Sequence, residues 1–271
     1  MKLVIEPGLA SANYWRDLWR YRELMYFLAW RDILVRYKQT VIGIAWALLR
    51  PALTMVVFVA FRRLVGIKPS AVPDPIVVFA AVLPWQFFSS AITESSASLL
   101  GNANLVSKVY FPRLIVPFAA IVTSFVDFLI TLGLLAILMH WYGFAPTWTI
   151  VMLPLFALHA VGLSLGLGLF LAAVNVKYRD FRYVVPFIVQ VGLFVSPIAF
   201  TSTNMPERWR ALYMLNPLVG IIDGFRWSIL GAAHAPLSIE AVAFSAAMTG
   251  AALLIGVWFF RRTERGFADV I

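Results

Sequence analysis

The sequence predicts an all-α, polytopic membrane protein with six transmembrane helices, an N-terminal amphipathic interface helix, and short re-entrant or peripheral helices between spans 5 and 6. Composition comes first: 62% of the residues are apolar, 13% are charged and the mean hydropathy is +0.85. A soluble domain carries about 25% charged residues. The apolar residues also gather in blocks of about 20, the length a helix needs to cross a hydrocarbon core about 30 Å thick. The short alternating segments of a transmembrane β-barrel do not occur.

Residues 1–40 read as a cytosolic basic segment holding seven Lys/Arg. Tyr14, Leu18, Tyr21, Met25 and Leu28 recur with a helical period, opposite Arg16, Arg20 and Glu23. Trp15, Trp19, Tyr26 and Trp30 add rings of the kind that settle at headgroup depth. The segment is expected to lie in the membrane interface with its apolar face down; packing against a partner is the alternative. No apolar leader with a small-residue cleavage site opens the chain, so the N-terminus is expected to stay in the cytosol.

The spans of the 41–260 transmembrane domain fall at about 41–61, 76–100, 114–139, 149–174, 184–200 and 239–260, and 261–271 forms a cytosolic tail. Arg50–Pro51 interrupts the first span, and Ser89, Ser90, Ser95, Ser96 and Ser98 crowd one half of the second. The 201–237 stretch is too interrupted, by Pro206, Asn216–Pro217 and Gly224, for an ordinary span. It reads as short helices dipping back from the outer face, which requires cover from protein or a water-filled cavity; a seventh span is the alternative. Fifteen Lys/Arg lie in the termini and in the 101–113 and 175–183 loops, against six in the opposite loops. The excess places both termini in the cytosol of a multi-pass cell (inner) membrane protein. Arg62, Arg63 and Lys68, on the wrong side, have no explanation from sequence.

Several chemistries are excluded. There is no cysteine, and His140, His159 and His234 lack metal-ligand spacing. No Gly-Lys dipeptide occurs, hence no phosphate-cradling loop of the Walker kind, and no triad or paired carboxylates stand on a soluble face. The chain is therefore read as no enzyme, with no catalytic, cofactor-binding or metal residues. The net charge of +9 fits basic loops at an anionic membrane surface, and no nucleic-acid partner is expected.

Intramembrane ionisable groups cost about 2.5–3.5 kcal/mol each on insertion scales, so Arg50, Glu94 and Asp127 are functional or paired. Arg50 either pairs with Glu94 or Asp127 or faces a polar conduit. Trp46, Phe87, Phe88 and Phe194 are candidate stacking surfaces for sugar rings, against ordinary packing. Lys177, Arg179 and Arg182 are candidate contacts for a lipid phosphate, against plain positive-inside anchoring. Gly162, Gly166 and Gly168 form a small-residue pattern that permits close helix contact, within the chain or at a dimer seam. The loop from Gly101 to Arg113 mixes cations with Tyr110 and Phe111, as an aromatic tip for docking on a cytosolic partner would.

Five strings in order resemble one family. They are Arg36-Tyr-Lys-x-x-x-x-Gly-x-x-Trp-x-x-Leu-x-Pro51, Leu-Pro-Trp-Gln-Phe-Phe at 83–88, Asn104-Leu-Val-Ser-Lys-Val-Tyr-Phe-Pro-Arg113, Asn175-Val-Lys-Tyr-Arg-Asp-Phe-Arg182, and Leu215-Asn-Pro-Leu218 before Gly224-Phe-Arg226. The chain resembles the transmembrane permease subunit of type-2 ABC exporters for polysaccharide or polyol phosphate, the O-antigen and teichoic-acid export family. The resemblance implies a homodimer served by a separate ABC ATPase, which binds ATP and Mg²⁺. Membrane lipids surround it, and polyprenyl-diphosphate-linked polysaccharide is the cargo. It makes the 101–113 loop the coupling helix, with Lys108, Tyr110, Phe111, Pro112 and Arg113 at the ATPase contact. An ABC exporter of another lipid or small molecule, a membrane enzyme on polyprenyl-linked sugars and an ion-coupled secondary transporter are the alternatives.

Overall fold

A computed structural model describes residues 14–38, 45–67, 71–200, 213 and 215–267. Among these residues there are ten α-helices and no strands. They are α1 (Tyr14–Arg20), α2 (Arg22–Lys38), α3 (Ala45–Leu64), α4 (Asp74–Gly101), α5 (Ala103–Lys108), α6 (Ile115–Trp141), α7 (Leu153–Lys177), α8 (Phe181–Val195), α9 (Pro217–Leu230) and α10 (Ile239–Thr263). Short 3₁₀ turns at Trp148–Met152 and Glu264–Gly266 extend α7 and α10. The chain is a polytopic all-α membrane protein. Five helical stretches are long and apolar enough to cross a membrane: Ala45–Leu64, Asp74–Gly101, Ile115–Trp141, Trp148–Lys177 and Ile239–Gly266. The expected fifth span, 184–200, coincides with α8, which has 15 residues, is shorter than these five and ends at Val195 rather than near 200. Ser196 is extended and Pro197 follows, which stops the helix there. Pro51 does not break α3, which runs continuously through it.

The spine is α4, whose apolar residues are buried along almost its whole length between α3, α6, α7, α8 and α9. Its serine-rich half explains how α7 comes so close. A Cβ on Gly168 would stand 2.7 Å from the Ser95 hydroxyl, and the Asn175 amide donates to the Ser96 carbonyl at 2.9 Å. Small side chains at such crossings replace the hydrophobic drive that lipid removes. The Thr93, Ser96 and Ser98 hydroxyls bond back within the helix, Thr93 to the Ser89 carbonyl at 2.8 Å. On its other face α7 packs on α10. The backbones of Gly166 and Gly256 touch there, and His159 meets Thr249 at 3.0 Å. The glycine pattern of the fourth span is thus consumed in internal packing.

Helix α9 lies in the stretch expected to dip back into the membrane. Twelve of its fourteen residues are buried, against α4, α7, α10 and the 148–152 turn. Asn216 caps it by accepting from the Leu218 N–H at 3.0 Å, and Pro217 supplies the preset first turn.

The wrong-side cations gain an explanation here. Arg62 is buried: it donates to the Ala199 carbonyl at 3.0 Å and pairs with Asp74 at 3.2 Å. Arg226, 2% exposed, donates to the carbonyls of Ile198 at 2.8 Å and Phe200 at 3.0 Å, with Asp223 as its electrostatic neighbour. Two guanidinium groups therefore hold the backbone that leaves α8, where helical hydrogen bonds have ended. Arg63 is exposed, and Lys68 lies outside the described residues.

Candidate functional site

A cavity of about 500 Å³ opens among α2, α3, α4 and α6. Three of the residues proposed for a substrate path line it: Trp46 and Arg50 from α3, and Phe87 from α4. Gln86, Ser90, Ser124 and Thr131 add polar atoms, and Glu94 and Asp127 supply two carboxylates. The carboxylates are not paired with Arg50. Arg36, at the end of α2, reaches between them and bonds Glu94 with one terminal nitrogen and Asp127 with the other. Tyr37 donates its hydroxyl to Asp127, and Ser124 donates to Glu94 at 3.2 Å. One cation against two anions would leave a negative site; Arg50 on the opposing wall restores neutrality. Its guanidinium has no partner among the described residues and stays exposed to the cavity. Such a wall offers hydroxyl-bonding carboxylates, one available guanidinium and aromatic faces.

The remaining path residues are scattered. Phe88 is buried and packs on Trp85 with ring centroids 6.1 Å apart. Phe194 is 70% exposed on α8, away from this cavity. Lys177, Arg179 and Arg182 are all exposed at the turn from α7 into α8. There Lys177 lies over the Tyr178 ring at 5.2 Å and Arg182 over Tyr183 at 4.7 Å.

The 101–113 loop contains a helix, α5, followed by an extended run. Lys108, Val109 and Tyr110 are exposed, but the expected aromatic tip is only half right. Phe111 is 5% exposed, and Pro112 is buried with it. Phe111 belongs to a second apolar cluster with Tyr14, Leu28, Val106, Phe260 and Phe267. Arg113 is half-buried and donates to the Glu264 carbonyl, while Tyr14 donates to the Glu264 carboxylate at 3.0 Å. Burial, and then the Glu264 carboxylate, push the Tyr14 phenol above its ordinary range, which keeps it a donor. Both described ends of the chain are thereby fastened to the 101–113 segment.

Sequence reasoning missed Arg36 as the cavity's cation. It is the first residue of the Arg-Tyr-Lys string, but it precedes the first apolar span and so does not read as an intramembrane charge. Tyr14 and Glu264, 250 positions apart, gave no signal.

The model of the membrane component of ABC-2 type transporters matches residues 23–230. The chain belongs to this family. The match begins in α2 and ends with α9, so it covers the cavity, the 101–113 segment and the re-entrant helix together. An O-antigen export system permease protein of Myxococcus xanthus is 31% identical over 213 residues, 78% of this chain and 82% of that one. A protein of the same name from Klebsiella pneumoniae is 25% identical over 253 residues, 92% of this chain and 95% of that one. An inner membrane transport permease of Escherichia coli K12 is 26% identical over 205 residues, 70% and 78% of the two chains. As an ABC-2 membrane component the chain is a permease, in keeping with the absence of any phosphate-cradling motif.

Proposed function

We propose that this permease exports a polyprenyl-diphosphate-linked polysaccharide of the O-antigen or teichoic-acid kind across the cell membrane. The observation that carries the reading is the pairing of a polar, aromatic-walled cavity with relatives named for O-antigen export that match up to 92% of the chain. Two copies form the conduit between them, and α3 and α8, the least covered apolar helices, face it. A separate ATPase binds ATP and Mg²⁺ and docks at Lys108, Tyr110 and their neighbours. Both termini and the 101–113 segment lie on the cytosolic side, consistent with the positive charge gathered there. Lys177, Arg179 and Arg182 meet the lipid phosphate or the anionic leaflet on the same side. Arg50 supplies the cation that the cargo passes inside the membrane.

Two predictions test this. Purifying the permease with its co-expressed ATPase should give a stable complex. Tyr110→Ala should weaken it severely while leaving the permease folded, because Tyr110 is exposed. Phe111→Ala should instead lower the permease's own stability, by about 3–5 kcal/mol as for other buried aromatics. A complex that survives Tyr110→Ala intact would remove the docking assignment, and failure of the intact pair to associate would remove the ATP-driven reading. For the cargo, Arg50→Leu should reduce glycan export by about tenfold or more, the effect of losing one charge-assisted hydrogen bond. Export at the parent rate in a reconstituted assay would take Arg50 out of the path.

A further inference from the structure

Resting on the reading of 103–113 as the coupling segment, the geometry points to Arg36 as a positioning residue of the export cycle: it ties α4 to α6 across the cavity wall and sets how far the cavity opens. Glu94 belongs to α4, which runs directly into the coupling segment; Asp127 belongs to α6, which leaves it. Arg36 holds one carboxylate on each. Beside the Ser124–Glu94 hydrogen bond and the packing of Phe87 on Phe125 and Phe128, it adds a charged link at cavity level between the two helices on which any push on that segment falls. A guanidinium suits this task because its planar fork serves two acceptors in fixed directions, which an ammonium does not.

Two further contacts define how α2 is held. Near its middle, Arg31 donates to the Asn102 side chain at 2.8 Å, at the junction of α4 and α5. At its end, Arg36 and Tyr37 sit on the cavity carboxylates. Glu94 lies eight residues, about 12 Å of helix rise, from Asn102. The second half of α2 therefore runs from the base of the coupling segment to the cavity, anchored at its middle and at its C-terminal end to groups that the segment moves. The ion pairs are also of the kind that can open. The side chains of Arg36, Glu94 and Asp127 keep 31%, 32% and 22% of their surface exposed toward the cavity, so water replaces a broken pair at modest cost. A fully buried pair in the same place would be a permanent strut. Arg50, across the cavity, remains to balance a carboxylate that Arg36 releases.

The chain has no cysteine, so one introduced at Ser90, on the cavity wall, reports access without further engineering. The complex with the ATPase would be reconstituted in lipid nanodiscs, and modification of Ser90→Cys by a small water-soluble maleimide timed with and without ATP and vanadate. In the parent, modification should be slow and should change on trapping. Glu94→Gln and Asp127→Asn, which each untie one helix while sparing Arg36, should label about fivefold faster without nucleotide and lose the response. Arg36→Lys keeps the charge but not the fork, and should shift the rate in the same direction by less. Variants that label at the parent rate and respond to nucleotide as the parent does overturn the proposal. Where Glu94→Gln and Asp127→Asn fail to assemble, Arg36→Lys decides the matter alone. A parent without nucleotide response, whose variants still label faster, supports Arg36 as the cavity's tie and overturns the coupling reading of 103–113.

Discussion

Gly256→Leu should leave a permease that no longer purifies as a folded protein, or that melts far below the parent. A Cβ at Gly256 would lie 2.0 Å from the Gly166 carbonyl oxygen, and one at Gly166 would lie 2.5 Å from the Ala252 backbone. Both obstacles are main chain on a neighbouring helix, so no rotamer change relieves them; α7 and α10 must move apart. Forcing atoms into packed interiors costs about 1–3 kcal/mol and sometimes more, and here the separation also undoes the His159–Thr249 contact nearby. About 3 kcal/mol translates to a fall in Tm of about 6–12 °C for a chain of this size. Gly250→Ala is the matching control on the same helix. Nothing lies within 4 Å of its added methyl, so it should be neutral or stabilising by up to about 1 kcal/mol. Differential scanning fluorimetry of the three proteins in one detergent separates these outcomes. Equal melting of Gly256→Leu and parent would mean the α7–α10 contact is not as drawn.

Arg226→Met should be the most damaging loss of a charge. Its side chain is enclosed, holds the Ile198 and Phe200 carbonyls and neighbours Asp223. Methionine fills much of the volume but strands two carbonyls and removes the cation beside a buried carboxylate. Removing one partner from such a set costs about 3–5 kcal/mol. The expected result is a Tm lowered by about 6–20 °C, restored in part by adding Asp223→Asn, which removes the anionic neighbour of the lost cation. If the single variant melts with the parent, the guanidinium is not what fastens the end of α8.

How far the sequence could be read depends on the range of each interaction. The face formed by Tyr14, Leu18, Tyr21, Met25 and Leu28 was legible because helical periodicity is local, and all five do pack on the second cluster. The long spans were legible because their length is set by the bilayer. The exit from α8 was not. Ser196–Pro197 marked a stop, but the apolar run continues to Phe200, and the arginines that hold it come from positions 62 and 226. Phe111 looked exposed among cations because its cover comes from α1, α10 and the final turn. Arg36 shows the same limit: the residue was in the leading motif, yet its role depends on carboxylates 58 and 91 positions away. The candidate cavity was therefore half visible: Trp46, Arg50, Phe87, Glu94 and Asp127 stand out in the sequence, and the Arg36 bridge between the carboxylates emerges only in three dimensions.

The re-entrant helix also sets an order of events during biosynthesis. With 14 residues, α9 is about 21 Å long, too short to be stranded across a bilayer as a span. Part of its cover is α10, against which Gly220 fits so closely that a Cβ would stand 2.5 Å from the Ala241 carbonyl. On the ribosome α10 is made after α9. Until it arrives, α9 lacks the part of its cover that α10 supplies. Its final seating among the helices is then expected to follow insertion of α10, and a chain truncated near residue 238 should lack the α9–α10 contact that Gly220 makes.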